Sequence, residues 1–114
     1  MSSVDCLFCR IVSGEIPSSR VAESSLSLAF RDINPAAPRH VLVIPKAHVA
    51  DSLAELDDNE VLTDMMGMVR DVARSEGLEA GWRLVANVGP DGGQTVPHLH
   101  FHLLGGRKMS WPPG

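Results

Sequence analysis

Histidines and apolar residues alternate one by one near the C-terminus, and this run constrains the fold more than any other feature. The run consists of His98-Leu99-His100-Phe101-His102-Leu103-Leu104. Side chains of a β-strand alternate between its two faces, so a strand here would place all three imidazoles on one face and apolar side chains on the other. We therefore predict a strand over residues 98–104 whose apolar face packs against a helix.

The size and charge of the chain exclude several classes of protein. Its 114 residues leave room for one hydrophobic core, so we expect a single domain over residues 1–114. A formal net charge of −4 argues against binding to nucleic acid, which needs a basic surface. No segment approaches the roughly 20 apolar residues of a membrane span, and the N-terminal residues lack a signal-peptide pattern. We expect a cytoplasmic protein that binds neither nucleic acid nor membranes.

The remaining periodic segments predict an α+β fold. Apolar residues recur at helical spacing from Asp57 to Glu76, and Gly77 is placed to end this long helix. A short helix is predicted over residues 5–13, ended by Ser13-Gly14. Further strands are predicted over residues 27–31, 41–44 and 83–88. The methionines of the long helix are expected in the core or at a subunit interface.

Two kinds of chemistry suit three histidines on one strand face. They could ligate a metal, although neighbouring positions on one strand do not favour a closed tetrahedral site that uses all three. Alternatively, a neutral imidazole could attack an electrophile, because imidazole is a competent nucleophile toward phosphorus. The preceding loop, Gly92-Gly93-Gln94-Thr95, offers backbone N–H groups and a hydroxyl that could bind an anion.

The alternating run matches the His-φ-His-φ-His-φ-φ motif of the histidine triad (HIT) superfamily, in which φ is apolar. The resemblance covers nearly the whole chain and favours the Hint branch over the Fhit and galactose-1-phosphate uridylyltransferase branches. The Hint-like segments are residues 39–48, Asn87, residues 91–94 and residues 105–114. It implies a HIT fold with a five-stranded antiparallel sheet, one long helix and one short helix. It also implies a homodimer whose two sheets are continuous.

The resemblance assigns catalytic roles to four residues. His100 is expected to be the nucleophile, oriented through its other ring nitrogen by the backbone carbonyl of His98. His102 and His40 would line the phosphate and leaving-group side. Thr95 stands where the family has a serine whose hydroxyl contacts the phosphate or the leaving group.

The resemblance also assigns the nucleotide site. Asp32 matches the carboxylate that binds ribose hydroxyls, while Trp111 lies in a tail that would reach toward the partner subunit's site. The base would contact Ile33, Phe8 and Ile11. The residues expected to bind the nucleotide are Phe8, Ile11, Asp32, Ile33, Asn87, Gly93, Gln94, Thr95, His100, His102 and Trp111.

From these placements the expected reaction is hydrolysis of purine nucleoside 5′-phosphoramidates through a nucleotidyl-histidine intermediate, with no metal in the chemical step. One alternative is a dinucleoside polyphosphate hydrolase or nucleotidyl transferase that uses the same His100. Another is a zinc-stabilised nucleotide-binding scaffold protein.

Cys6 and Cys9 have the C-x-x-C spacing of a zinc-binding pair, which needs two more ligands. Spacing alone cannot choose them from five histidines. Similarity to the uridylyltransferase branch and to zinc-containing bacterial HIT proteins implies His48 and His98. The expected cofactor is therefore one structural zinc ion held by Cys6, Cys9, His48 and His98.

Overall fold

Five strands form one antiparallel sheet in the computed structural model of the chain, which describes residues 5–114. The strands are β1 (Arg20–Glu23), β2 (Ser27–Arg31), β3 (Arg39–Pro45), β4 (Trp82–Val85) and β5 (Phe101–Gly105). Their spatial order is β1-β2-β3-β5-β4, so β3 lies at the centre and β1 and β4 are edges. The predicted five-stranded α+β architecture is confirmed.

Both faces of the sheet are covered, which explains why β3 is buried along almost its whole length. Val41 and Val43 pack in a core that includes the long helix, whereas Leu42 and Ile44 pack in a second core that includes the short helix. Antiparallel pairing aligns Leu42 with His102 of β5. His102 therefore projects from the short-helix face of the sheet.

The long helix α2 spans Asn59–Ser75. The Asp58 side chain caps its first turn by accepting from the backbone N–H groups of Glu60 and Val61. It ends at Gly77, whose φ of +72° favours glycine, as predicted. Met65 is fully buried against the sheet, so its predicted core position is confirmed. Within residues 5–114, neither helix has the length and apolar character that crossing a membrane requires.

The short helix α1 spans Leu7–Val12 and covers the opposite face. Phe8 and Ile11 are its buried residues and pack with Leu28, Phe30, Leu42 and Ile44. At its C-terminal end, the Arg20 guanidinium donates 2.8 Å to the carbonyl oxygen of Ile11. This contact ties α1 to the first strand.

Two predicted strand boundaries are wrong. The last strand begins at Phe101 rather than at His98, because β3 ends at Pro45, which has no N–H, and Leu99 donates instead to Ala50. The strand expected over residues 83–88 is Trp82–Val85. The chain leaves the sheet there to enter a tight turn in which Gly92 lies so close to Val88 that a Cβ would be 2.3 Å from its carbonyl oxygen.

Candidate active site and metal centre

His100 lies immediately before β5 with its ring buried. Its Nδ1 is 2.7 Å from the carbonyl oxygen of His98, and a carbonyl can only accept, so Nδ1 carries the proton. The ring of Phe8 packs edge-on against the imidazole at a centroid distance of 5.1 Å. Nε2 of neutral His100 therefore holds a free lone pair, which is the group that a nucleophilic imidazole requires.

A chain of hydrogen bonds fixes the protons on the two neighbouring histidines. The backbone N–H of Ala36 donates to Nδ1 of His40 at 3.0 Å. His40 in its neutral form then carries its proton on Nε2, which lies 2.9 Å from Nδ1 of His102. His102 accepts that bond, so its own proton is on Nε2. This tautomer presents an N–H donor in the same cavity as His100.

Both of these histidines favour the neutral state. Burial lowers the pKa of His102 to about 4, and repulsion from His100 and His40 adds to the effect, while Asp32 opposes it. Burial also lowers the pKa of His40 below its usual range, again opposed by the Asp32 carboxylate. At neutral pH the pair is therefore a set of oriented neutral hydrogen-bonding groups rather than a source of positive charge.

Asp32 follows β2 and stands beside this pair. Its Oδ1 accepts from the backbone N–H of Asn34 at 2.8 Å, and its Oδ2 lies 3.5 Å from Nε2 of His40. Its backbone N–H donates to the carbonyl oxygen of His40. The carboxylate thus shapes a turn and also faces the cavity, where it could accept hydrogen bonds from ligand hydroxyls.

A cavity of about 410 Å³ brings most of the predicted nucleotide residues together. Such a volume is within the range of about 300 to 1,000 Å³ that is typical of small-molecule sites. Ile33 stands on its wall with 91% of its surface exposed. The predicted residues that line it are Phe8, Ile11, Asp32, Ile33, Thr95, His100 and His102. It therefore combines an apolar compartment with a polar end formed by imidazoles.

The residues predicted to complete the anion site do not line this cavity, with the exception of Thr95. The Asn87 amide donates to the carbonyl oxygen of Gly92 at 2.6 Å. The Gln94 amide donates to the carbonyl oxygens of Asp51 and Val96, and its oxygen accepts from Gly89. Gly93 has a φ of +78° within the same turn. These groups brace the loop that carries Thr95.

Trp111 is 81% exposed and does not line the cavity of its own chain. The guanidinium of Arg83 in β4 donates 2.8 Å to the carbonyl oxygen of Ser110, which anchors the tail near the edge of the sheet. The expected contact of Trp111 with a partner subunit stays a prediction.

A second cluster lies on the other side of His100. Ligand atoms of Cys6, Cys9, His48 and His98 all lie within 4.8 Å of one another. Nδ1 of His98 is 3.1 Å from Sγ of Cys6, and Nδ1 of His48 is 3.6 Å from Sγ of Cys9. Tetrahedral zinc with thiolate and imidazole ligands separates its donor atoms by about 3.3 to 3.8 Å. The four predicted ligands are thus close to a tetrahedral arrangement.

The tautomers of both histidines in this cluster also suit a metal. Nε2 of His98 donates to the carbonyl oxygen of Pro45 at 3.0 Å, and Nε2 of His48 donates to the carboxylate of Asp51 at 2.6 Å. Each Nδ1 lone pair therefore faces the thiols, and each remote N–H has the acceptor that orients a metal-binding imidazole. Burial raises the pKa of Cys9 to about 11, reinforced by its contact with Cys6. The group is chemically suited to a thiophilic dication.

His98 belongs to both sites. Its ring faces the cysteines, and burial lowers the pKa of this imidazole to about 4. Its carbonyl oxygen holds His100. All three histidines of the run lie on the α1 face, since the Phe8 ring contacts His98 and His100, and His100 contacts His102. The predicted common face is confirmed, but it extends beyond the strand itself.

Sequence reasoning missed several groups that hold these sites. They are the N–H of Ala36, the carbonyl of Pro45 and the carboxylate of Asp51. Backbone groups have no residue-type signature, so the first two could not have been found. Asp51 did carry a signal, because an acidic residue three positions after His48 can reach its ring.

Comparison with known proteins agrees with these observations. The profile of the HIT domain family matches residues 13–109. The 14 kDa zinc-binding protein of Zea mays is 51% identical over 113 residues, which cover 95% of this chain and 87% of that protein. Adenylylsulfatase HINT1 of Arabidopsis thaliana is 48% identical over 113 residues, covering 95% of this chain and 76% of that protein.

Solved structures confirm the similarity in three dimensions. A crystal structure of a HIT family hydrolase from Legionella pneumophila superposes with a TM-score of 0.92 at 51% identity. The superposition covers 96% of this chain and all of the other. The resemblance drawn from the histidine run, including the Hint branch, is therefore confirmed.

Proposed function

The chain belongs to the HIT domain family, and we propose that it hydrolyses purine nucleoside 5′-phosphoramidates with His100 as the nucleophile. The observation that carries this proposal is the 2.7 Å bond from Nδ1 of His100 to the carbonyl oxygen of His98. That bond leaves the Nε2 lone pair available on a residue that lines the cavity. Family membership and the hydrolase title of the Legionella relative support the reaction class.

In the proposed first step, Nε2 of His100 attacks the α-phosphorus and the phosphorus–nitrogen bond breaks. The amine leaves with a proton, and the nucleotide remains attached to His100. The resulting imidazolium keeps its Nδ1–H bond to the His98 carbonyl, whose negative end stabilises the new positive charge. The Nε2–H of His102 would donate to a phosphoryl oxygen, and the Thr95 hydroxyl would contact the phosphate or the leaving group.

In the second step, water attacks phosphorus and the bond to His100 breaks. The products are the nucleoside monophosphate and free His100, so the overall reaction consumes one water and releases one amine. All of these steps use imidazole, hydroxyl and backbone groups, and we propose that the chemical step needs no metal.

The proposed site for the nucleoside is the apolar compartment of the cavity. Asp32 would accept hydrogen bonds from the ribose hydroxyls. Phe8, Ile11 and Ile33 would pack against the base, and the exposed apolar surface of Ile33 supports this role. We also propose that Asn87, Gly93 and Gln94 act indirectly, by bracing the loop that presents Thr95.

A second candidate substrate is adenosine 5′-phosphosulfate. The observation that favours it is the 48% identity to a plant relative named adenylylsulfatase. Attack by His100 at the α-phosphorus would be the same, with sulfate in place of the amine as the leaving group. The alternatives of a dinucleoside polyphosphate hydrolase, a nucleotidyl transferase and a zinc-stabilised scaffold differ in what leaves, in what accepts the nucleotide, or in the absence of turnover.

We propose that the cluster of Cys6, Cys9, His48 and His98 binds one zinc ion with a structural role. The support comes from its donor set, the orientation of its imidazoles and the zinc-binding relative of Zea mays. When bound, the ion would supply the positive charge that stabilises two buried thiolates, and it would fix α1 to the start of the histidine run.

We further propose a homodimer with a continuous sheet. β4 is an edge strand with partly exposed residues, and Trp82 at its start is 41% exposed. An unpaired edge of this kind offers its backbone groups to a second strand. In such a dimer Trp111 could reach the partner's cavity.

The decisive experiment measures hydrolysis of adenosine 5′-phosphoramidate by the wild type and by His100→Ala, with Arg74→Ala as a surface control. Arg74 is exposed on α2, so its removal leaves the cavity intact. We expect His100→Ala to lose at least about a thousandfold in kcat/KM, while the control stays near wild type. Rapid quenching with mass spectrometry should detect a nucleotide adduct on the peptide that contains His100.

Full activity of His100→Ala would refute the nucleophilic role. If the wild type turns over adenosine 5′-phosphosulfate but no phosphoramidate, the second candidate replaces the first. If nucleotides bind to the wild type without turnover of either substrate, the scaffold alternative is favoured.

A further inference from the structure

Ser18 carries a buried hydroxyl that has no hydrogen-bond partner among residues 5–114. The residue lines the same cavity as His100 and His102, next to Pro17 and Ile16. Buried polar side chains in proteins are normally paired, so an unpaired one needs an explanation. A hydroxyl on the wall of a ligand cavity can obtain its partner from the ligand, because it rotates freely to donate or to accept.

The sheet order places Ser18 far from the histidines. Arg20 of β1 pairs with Phe30 of β2, and the backbone N–H of Arg31 donates to Ser19 at 2.9 Å. Continuing this antiparallel pairing brings Ser18 beside Asp32. His102 on β5 is separated from the line of β1 by three strand spacings, or about 14 Å. Ser18 thus lies beyond the carboxylate that would bind ribose, as seen from the imidazoles.

This distance is on the scale of an extended nucleoside monophosphate. A phosphate beside His100 and a ribose beside Asp32 would direct the base toward α1 and Ser18. The neighbours of Ser18 on the wall include Leu7, Ile16 and Phe30, whose side chains can pack on a base but cannot hydrogen-bond to it. The Ser18 hydroxyl is placed to add a polar contact to this apolar part of the wall.

We propose that Ser18 is a specificity-determining residue whose hydroxyl hydrogen-bonds to the amino group at C6 of adenine, on the base edge remote from the ribose. The inference rests on the nucleotide site proposed above. It predicts that a base with a hydrogen-bonding group at C6 binds better than unsubstituted purine. A neutral hydrogen bond in such a site changes affinity by about three- to tenfold.

The test measures the affinity of AMP and of purine riboside 5′-monophosphate by calorimetry for four proteins. They are the wild type, Ser18→Ala, Ser18→Thr and Ser19→Ala. Ser19→Ala is the matched control, because Ser19 is exposed and contributes its backbone carbonyl to the sheet. Ser18→Thr keeps the hydroxyl.

We expect the wild type to bind AMP about three- to tenfold more tightly than the analogue. Ser18→Ala should lose this preference without binding the analogue more weakly, whereas Ser18→Thr and Ser19→Ala should keep it. Equal weakening toward both ligands would indicate a structural role and overturn the proposal. So would a wild type that binds the two ligands equally, or neither of them.

Because the readout is binding, the result is separable from the proposed reaction. Ser18-dependent preference for AMP without any phosphoramidate turnover would support the inference while refuting the proposed function. Turnover that depends on His100 but is indifferent to the C6 amino group would do the reverse.

Discussion

Ala36, His40 and His102 show how a single backbone N–H can set the protonation pattern of a site. The N–H occupies Nδ1 of His40, which leaves Nε2 as the donor toward His102. In turn, His102 is left with its donor on the ring nitrogen that does not contact His40. The nucleophile uses the opposite arrangement, with its proton on Nδ1 and its lone pair on Nε2. Neighbouring imidazoles therefore act as donor and acceptor without either being charged.

Replacing His40 with phenylalanine tests this arrangement. The ring volume is kept, but Nδ1 of His102 loses the donor that lies 2.9 Å away. Loss of a group that orients another typically lowers activity about 10- to 100-fold, and we expect kcat toward adenosine 5′-phosphoramidate to fall by this amount while KM changes little. Nitrogen-15 NMR of His102 should show a mixture of tautomers. An unchanged His102 spectrum would contradict the proposed orientation.

The site was predictable where side chains follow the strand period or the family motif. Period-two alternation indicated the shared face of the three histidines, and the C-x-x-C spacing indicated a metal pair. The groups that orient these side chains were not predictable, because Ala36 and Pro45 contribute only backbone atoms. Ser18 also gave no signal, since its burial depends on how α1 and β2 pack around it.

At the scale of elements, α1 has a disproportionate effect on the site. A helix of six residues is too short to be stable alone, so it must be held by its contacts. Phe8 and Ile11 anchor it in the apolar core and also line the cavity. Cys6 caps its first turn, with the sulfur accepting the N–H of Cys9 at 3.3 Å. The cysteine cluster and the cavity therefore share one structural support.

Removing the proposed zinc should loosen α1 before the rest of the sheet. Chelation, or the double change Cys6→Ser and Cys9→Ser, is expected to lower Tm by roughly 5 to 10 °C, the shift that 1 to 2 kcal/mol produces in a domain of this size. Hydrogen exchange should accelerate in residues 7–12 more than in α2. Metal analysis should find one zinc per wild-type chain.

The double variant is also the control for the chelator. It should respond to the chelator with no further change in Tm. Metal-free wild type with an unchanged Tm and unchanged exchange in α1 would contradict a structural role for the ion.

Element prediction succeeded where burial was one-sided. The amphipathic pattern of α2 and the apolar run of β3 were assigned from periodicity. β1 was missed because its residues, Arg20–Glu23, form a partly exposed edge with no apolar alternation. The two errors in strand bounds arise where the chain leaves the sheet at Val85 and joins it at Phe101. Local sequence does not encode where a neighbouring strand ends.

At the scale of the whole molecule, neutral buried histidines make stability depend on pH. Unfolded histidine titrates near pH 6.5, whereas burial lowers the pKa of folded His102 to about 4. Between these values the unfolded chain binds more protons, so the free energy of unfolding falls as the pH falls from 6.5 to 4. Allowing for solvent screening of a half-buried ring, His102 should contribute on the order of 2 kcal/mol to this loss.

Urea denaturation of the wild type and of His102→Gln between pH 7.5 and pH 4 measures this contribution. Glutamine does not titrate, so the stability of the variant should depend less steeply on pH. The difference between the two proteins should be largest near neutral pH and should shrink toward pH 4. Parallel stability curves would contradict a buried neutral His102.

The bond between His100 and the carbonyl of His98 has a consequence for any attempt to map this protein by substitution. Every side chain at position 98 leaves the same oxygen in place, so alanine scanning can remove an imidazole from the cysteine cluster but cannot delete the acceptor of His100. A tolerant result at His98 would therefore say nothing about the importance of that oxygen. Only a change in the main chain itself, such as an ester in place of the Leu99 amide to weaken the carbonyl as an acceptor, would measure it.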